Sequence, residues 1–120
     1  SGGYFHQPTV LANVTGEMDV VQQEVFGPVL AARSFTTEDE AISFANETVY
    51  GLSSVIWTKD ISRAHRAISR IKSGMVQVNC FSGADVTAPL GGVRQSGNGV
   101  DRSLHAFEKY ENLKAAWIKL

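Results

Sequence analysis

The sequence predicts an α/β fold in which parallel strands alternate with helices in the order βαβαβ. Three observations carry that prediction. Apolar runs of strand length at residues 29–35, 52–58 and 75–79 are separated by two stretches with helical spacing. Each stretch opens on a residue that caps helices: Thr37, with Glu40 three positions on, and Asp60. Helices lying between successive strands demand crossovers, and a right-handed crossover joins parallel strands.

Taken in order, residues 4–14 carry Phe5, Val10, Leu11 and Val14 around Pro8, which no helix interior tolerates, so extended chain is expected. Gly16 breaks that run. Met18, Val21 and Val25 then recur at helical spacing and predict a short helix presenting Glu24 and Phe26 at or just past its end. The Thr37 helix runs to Asn46, with Ile42, Phe44 and Ala45 among its apolar positions. The Asp60 helix places Ile61, Ala64, Ile68 and Ile71 in one apolar stripe and is ended by Gly74. Val76 and Val78 share a face of the third strand. Residues 81–100, rich in Gly and Ser, read as a long loop, and a loop of that length in a compact domain is usually functional. Asp101 is expected to cap a short helix bearing Leu104, Phe107 and Tyr110. Residues 113–120 alternate as a strand does, with Leu113, Ala115 and Trp117 on one side and Ala116, Ile118 and Leu120 on the other.

Composition narrows the function. Eleven basic residues against 12 acidic ones, without a basic run, lack the charge footprint of a nucleic-acid binder. No apolar stretch approaches the ~20 residues that cross a bilayer, so a soluble protein is expected. The single cysteine excludes an internal disulfide framework and suits a reducing, cytoplasmic setting. His6, His65 and His105 lie far apart without acidic or cysteine neighbours at ligand spacing, so no metal site is expected. Gly92 and Gly97 have the outer spacing of a phosphate-binding loop, but Asn98-Gly99 stands where Lys and Ser or Thr belong.

Gln23-Glu24-Val25-Phe26-Gly27-Pro28 is the stretch that secondary structure alone does not explain. A carboxylate there accepts hydrogen bonds from sugar hydroxyls, the ring covers a flat ligand face, and Gly27 permits close backbone approach. The competing reading is a helix C-terminus with Gly27 as cap and Pro28 as stop. Glu24-Val25-Phe26-Gly27-Pro28 resembles the E-I/V-F-G-P motif of the NAD(P)-dependent aldehyde dehydrogenases. The similarity extends along the chain in order: Gly3-Tyr4-Phe5 with Pro8-Thr9, Asn46 to Gly51, Gly74 to Cys80, and Pro89-Leu90-Gly91-Gly92 with Ser96-Gly97.

That resemblance implies the C-terminal part of a catalytic domain over residues 1–110 and an oligomerisation strand over 111–120. It implies that Glu24 hydrogen-bonds the nicotinamide ribose of NAD or NADP, that Phe26 packs beside ribose and nicotinamide, and that the segment from Phe81 to Leu90 lines the substrate tunnel. Leu90 stands where the family often has an aromatic residue, and Arg94 replaces the usual Lys, which keeps the charge and alters its geometry. In the family a cysteine nucleophile and a glutamate base carry the chemistry, both upstream of anything present here. Cys80 matches a post-strand segment instead, where a small semi-buried residue is expected, and no catalytic residue is assigned. The chain is therefore expected to be inactive alone, to bind little or no cofactor by itself, and to self-associate as a homodimer or larger assembly. The tail, with Ser103-Leu104-His105-Ala106 and Glu108-Lys109, is similar to dehydrogenases of aminoaldehydes such as gamma-glutamyl-aminobutyraldehyde. The alternative is an autonomous, non-catalytic oligomerisation or binding module. Polar residues over its outer surface would mark such a module, whereas apolar surface would mark part of a larger domain.

Overall fold

The computed structural model describes residues 2–81 and 85–120, so the expected substrate-facing stretch at 82–84 lies outside the described residues. The chain divides into two compact units, residues 1–49 and 50–120.

The first unit is a parallel crossover followed by a helix. Strand β1 (Thr9–Ala12) leads through helix α1 (Asp19–Gln22) to strand β2 (Val29–Ala32), and the strands pair in parallel from Thr9 opposite Val29 to Ala12 opposite Ala32. The extended chain expected before Gly16 thus becomes a ladder strand beyond Pro8, where backbone donors are again present. Helix α2 (Glu38–Ala45) starts as its sequence dictates: the Thr37 hydroxyl accepts from the Glu40 N–H at 3.1 Å. Glu40 reaches one residue further back than a simple capping box, accepting from the Thr36 N–H at 2.8 Å and the Thr36 hydroxyl at 2.9 Å. Val14 and Ile42 are the buried apolar residues of this unit. Phe44 is instead covered by the Arg33 guanidinium, 3.3 Å from its ring centroid, while Arg33 pairs with Glu47 at 2.8 Å.

The second unit repeats the crossover. Strand β3 (Ser53–Ile56), helix α3 (Ile61–Arg70) and strand β4 (Met75–Val78) give a parallel pair registered from Ser53 opposite Met75 to Ile56 opposite Val78. The Asp60 carboxylate accepts from the Arg63 N–H at 3.1 Å, the expected cap. The apolar stripe of α3 is displaced from expectation. Ala64 and Ala67 are buried and Ile71 half-buried, whereas Ile61 and Ile68 flank that arc and stay exposed. Nor does Gly74 end the helix, which closes at Arg70 with Ile71 as cap. Gly74 is where two backbones meet: a Cβ there would collide with the carbonyl of Gly91.

The stretch read as a loop has structure of its own. Strand β5 (Leu90–Gly91) pairs antiparallel with strand β6 (Val100–Asp101), around a 3₁₀ turn at Arg94–Ser96. Gly51 ties this hairpin to the start of β3. Its carbonyl accepts from both Gly74 and Val93 at 3.0 Å, and its N–H donates to the Ser96 hydroxyl at 3.0 Å. Asp101 is consequently a strand residue and not a cap. The 3₁₀ helix Leu104–Tyr110 starts from Ser103, whose hydroxyl accepts from the His105 N–H at 3.3 Å, and Asp101 pairs with Lys109 instead. Residues 111–120 are exposed and form no ladder with other described residues, with Leu113, Trp117, Ile118 and Leu120 open to solvent.

Candidate functional site

In the first unit the Gln23 to Pro28 stretch is a turn held by backbone bonds. Helix α1 ends at Gln22, and the Gln23 N–H donates to the Asp19 carbonyl at 2.7 Å. The cap is therefore Gln23, so Gly27 and Pro28 do not terminate a helix. The Gly27 N–H donates to the Val25 carbonyl and the Val29 N–H to the Gly27 carbonyl, both at 2.8 Å. These are two consecutive three-residue turns centred on Phe26 and Pro28, and proline's fixed φ suits the second. The Pro28 carbonyl then accepts from Thr9 at 2.8 Å, fastening the exit to β1. Held this way, Phe26 is 94% exposed and Glu24 is exposed beside it.

Nothing among the described residues requires a glycine at position 27. Its φ is not left-handed, and an added Cβ would meet only the Val25 side chain at 4.0 Å. What the glycine leaves is open backbone next to an aromatic ring, continuous with a largely apolar groove of about 370 Å³ along Val10, Pro28, Val29 and Leu30. The entry side is braced as well. Gln22 donates through its amide to the Gly16 carbonyl at 2.6 Å. An acceptor, a flat ring and unobstructed backbone on one fixed turn can hold a sugar and stack against a planar group; none of them is a nucleophile.

In the second unit the structure separates the two tunnel candidates. Phe81 leaves the far end of β4 and is 77% exposed. Leu90, half-buried in β5 opposite Asp101, adjoins Gly91, which sits against Gly74 at the near end. Four residues of strand, about 13 Å, lie between those ends. Cys80 is exposed, where a semi-buried residue was expected. Among the described residues no three His, Cys, Asp or Glu side chains gather as metal ligands.

Sequence reasoning passed over Asn79. It has φ 54°, and its side-chain amide accepts from the Thr58 N–H at 2.8 Å and donates to the Thr58 carbonyl at 2.7 Å. Its own N–H donates to the Ile56 carbonyl at 2.8 Å. The available signal was an asparagine closing an alternating strand, because asparagine tolerates the left-handed region better than most residues.

The aldehyde dehydrogenase family model matches residues 1–116. The NADP/NAD-dependent aldehyde dehydrogenase PuuC of Escherichia coli is 48% identical over 94% of this chain, and a betaine aldehyde dehydrogenase of Rhizobium etli is 44% identical over 97%. Among solved structures, the P. syringae indole-3-acetaldehyde dehydrogenase AldA, in complex with NAD+ and IAA, superposes with a TM-score of 0.87 at 50% identity over 94% of this chain. The aldehyde dehydrogenase KauB of Pseudomonas aeruginosa gives 0.85 at 49% identity. The chain spans about a quarter of the length of the relatives it matches, 23% for PuuC and 23% for AldA. With nearly its whole length matched in sequence and in fold, the chain belongs to the aldehyde dehydrogenase family.

Proposed function

We propose that this chain is the C-terminal part of an NAD(P)-dependent aldehyde dehydrogenase, where it positions cofactor and substrate without supplying the reacting groups. Glu24 accepts from the nicotinamide ribose and Phe26 packs beside ribose and nicotinamide; Phe81 and Leu90 face the aldehyde tunnel from two sides. Residues 111–120 form an oligomerisation strand that pairs with another subunit. The single exposed Cys80 takes no part in turnover, and the isolated chain is catalytically silent with NAD(P) affinity near zero. The tail motif directs the substrate class to aminoaldehydes, and the lone cysteine suits the cytoplasm.

The observation that carries this reading is the chain's surface. A folded chain of 13.0 kDa exposes about 6,300 Å², and two separately folded units of these lengths about 7,600 Å². This chain exposes 9893 Å². Among the described residues its buried apolar side chains are Val14, Ile42, Ala64 and Ala67, while Phe26, Trp57, Phe81 and Trp117 lie in solvent. An autonomous module would have polar residues at those positions.

The site assignment is tested in a hybrid enzyme, the P. syringae dehydrogenase with its corresponding segment replaced by this chain. Losing a hydrogen bond to a charged acceptor costs about 1.5–3 kcal/mol, so Glu24→Ala, which removes the acceptor, should raise KM for NAD+ roughly tenfold or more. Phe26→Ala should do about the same through lost apolar contact. Unchanged KM in both variants of an active hybrid would remove these residues from the cofactor site.

A further inference from the structure

The paired ends of β3 and β4 finish on a device that backbone alone does not make. After Ile56 opposite Val78 the ladder has a last backbone bond, Asn79 N–H to the Ile56 carbonyl at 2.8 Å. Asn79 then turns left-handed, φ 54°, and its backbone leaves the sheet. In place of the next peptide group stands its side-chain amide, which both accepts from and donates to the Thr58 backbone, at 2.8 and 2.7 Å. The amide therefore mimics one more rung while the chain itself departs through Cys80 to Phe81. No other common residue combines the rung with the turn as well: aspartate lacks the donor, glutamine is a methylene too long, and glycine makes the turn without the rung.

We propose that Asn79 is a positioning residue for the aldehyde site, fixing the direction in which the chain leaves β4 and so where Phe81 stands relative to the end of β3. This rests on the reading of Phe81 as substrate-facing. Thr58, one residue past the exposed Trp57, is the anchor, so the device joins the two strand ends from which exposed aromatic rings project. Asn79 touches no reacting atom. It acts on substrate choice through the placement of Phe81, because a small displacement of a pocket wall discriminates between aldehydes of different bulk.

The test separates the amide from the turn. Asn79→Gly permits the left-handed backbone but removes both bonds to Thr58, whereas Asn79→Ala removes the bonds and opposes the turn. In the hybrid enzyme, Asn79→Gly should change the ratio of kcat/KM for indole-3-acetaldehyde over acetaldehyde roughly tenfold, with KM for NAD+ unchanged. Amide exchange at Thr58, in the hybrid and in the 120-residue chain, should accelerate roughly tenfold in the same variant. An unchanged aldehyde ratio in an active Asn79→Gly hybrid would overturn the proposal, as would unchanged exchange at Thr58 in either protein. A fall in all kinetic parameters together, KM for NAD+ included, would mark Asn79 as merely structural and also overturn it. A hybrid that is inactive with the unaltered segment would count against the proposed function, and Thr58 exchange in the 120-residue chain would still decide the clamp.

Discussion

At the residue scale, the groups that fix helix starts make the plainest prediction. Thr37 satisfies the Glu40 N–H, so Thr37→Ala should cost about 1 kcal/mol in a urea melt of α2. Glu40 adds a pH dependence. The backbone N–H of Thr36, then its hydroxyl, hold the Glu40 carboxyl below its ordinary value. A carboxyl lowered in the folded state contributes stability that is complete above its unfolded value and disappears as pH falls through the lowered one. Melts followed from neutral pH down through the carboxylate range should lose stability at the acid end, and Glu40→Gln should flatten that loss. An acid limb of equal slope in both proteins would contradict the account. Thr37 and Asp60 were legible in the sequence because a cap depends on three or four neighbouring residues. Asn79 was not, because its role needs the partner strand 21 residues away.

At the element scale, the Leu104–Tyr110 helix is fastened to β6 by Asp101 and Lys109. The hydrogen bond from Lys109 lowers the Asp101 carboxyl, and the same bond raises the Lys109 ammonium. The linkage signs are opposite for the two groups. Asp101's contribution is lost as pH falls through its lowered value, and Lys109's as pH rises through its raised one, so the fastening holds between them. Asp101→Asn should therefore speed amide exchange over 104–110 at neutral pH, and unchanged exchange would deny the pair any role. This pairing also shows why part of the fold escaped sequence reading. β5 and β6 have two residues each, too short to leave a period, and Asp101 has the composition of a cap while being held in a strand. The longer elements were legible because α2, α3 and the β3 and β4 strands on either side of α3 have both punctuation and pattern. The Glu24 and Phe26 turn lay between these cases. Its residues stood out, yet the pair of three-residue turns that exposes them follows from backbone angles that no periodicity encodes.

At the scale of the whole molecule, the apolar surface and residues 111–120, which join no ladder among the described residues, make association the expected behaviour. Open backbone flanked by Leu113, Trp117 and Ile118 is a template for pairing with a second copy. Deleting residues 113–120 should lower the sedimentation coefficient towards monomer or render the protein insoluble, whereas an intact chain that stays monomeric at high concentration would contradict this. Whether the chain positions cofactor and aldehyde while the reacting groups lie in the rest of a dehydrogenase is decided by NADH formation. The P. syringae hybrid containing this chain should turn over indole-3-acetaldehyde, unaffected by Cys80→Ser, and the 120-residue chain alone should not. Turnover by the chain alone that is abolished by Cys80→Ser would contradict that division of roles.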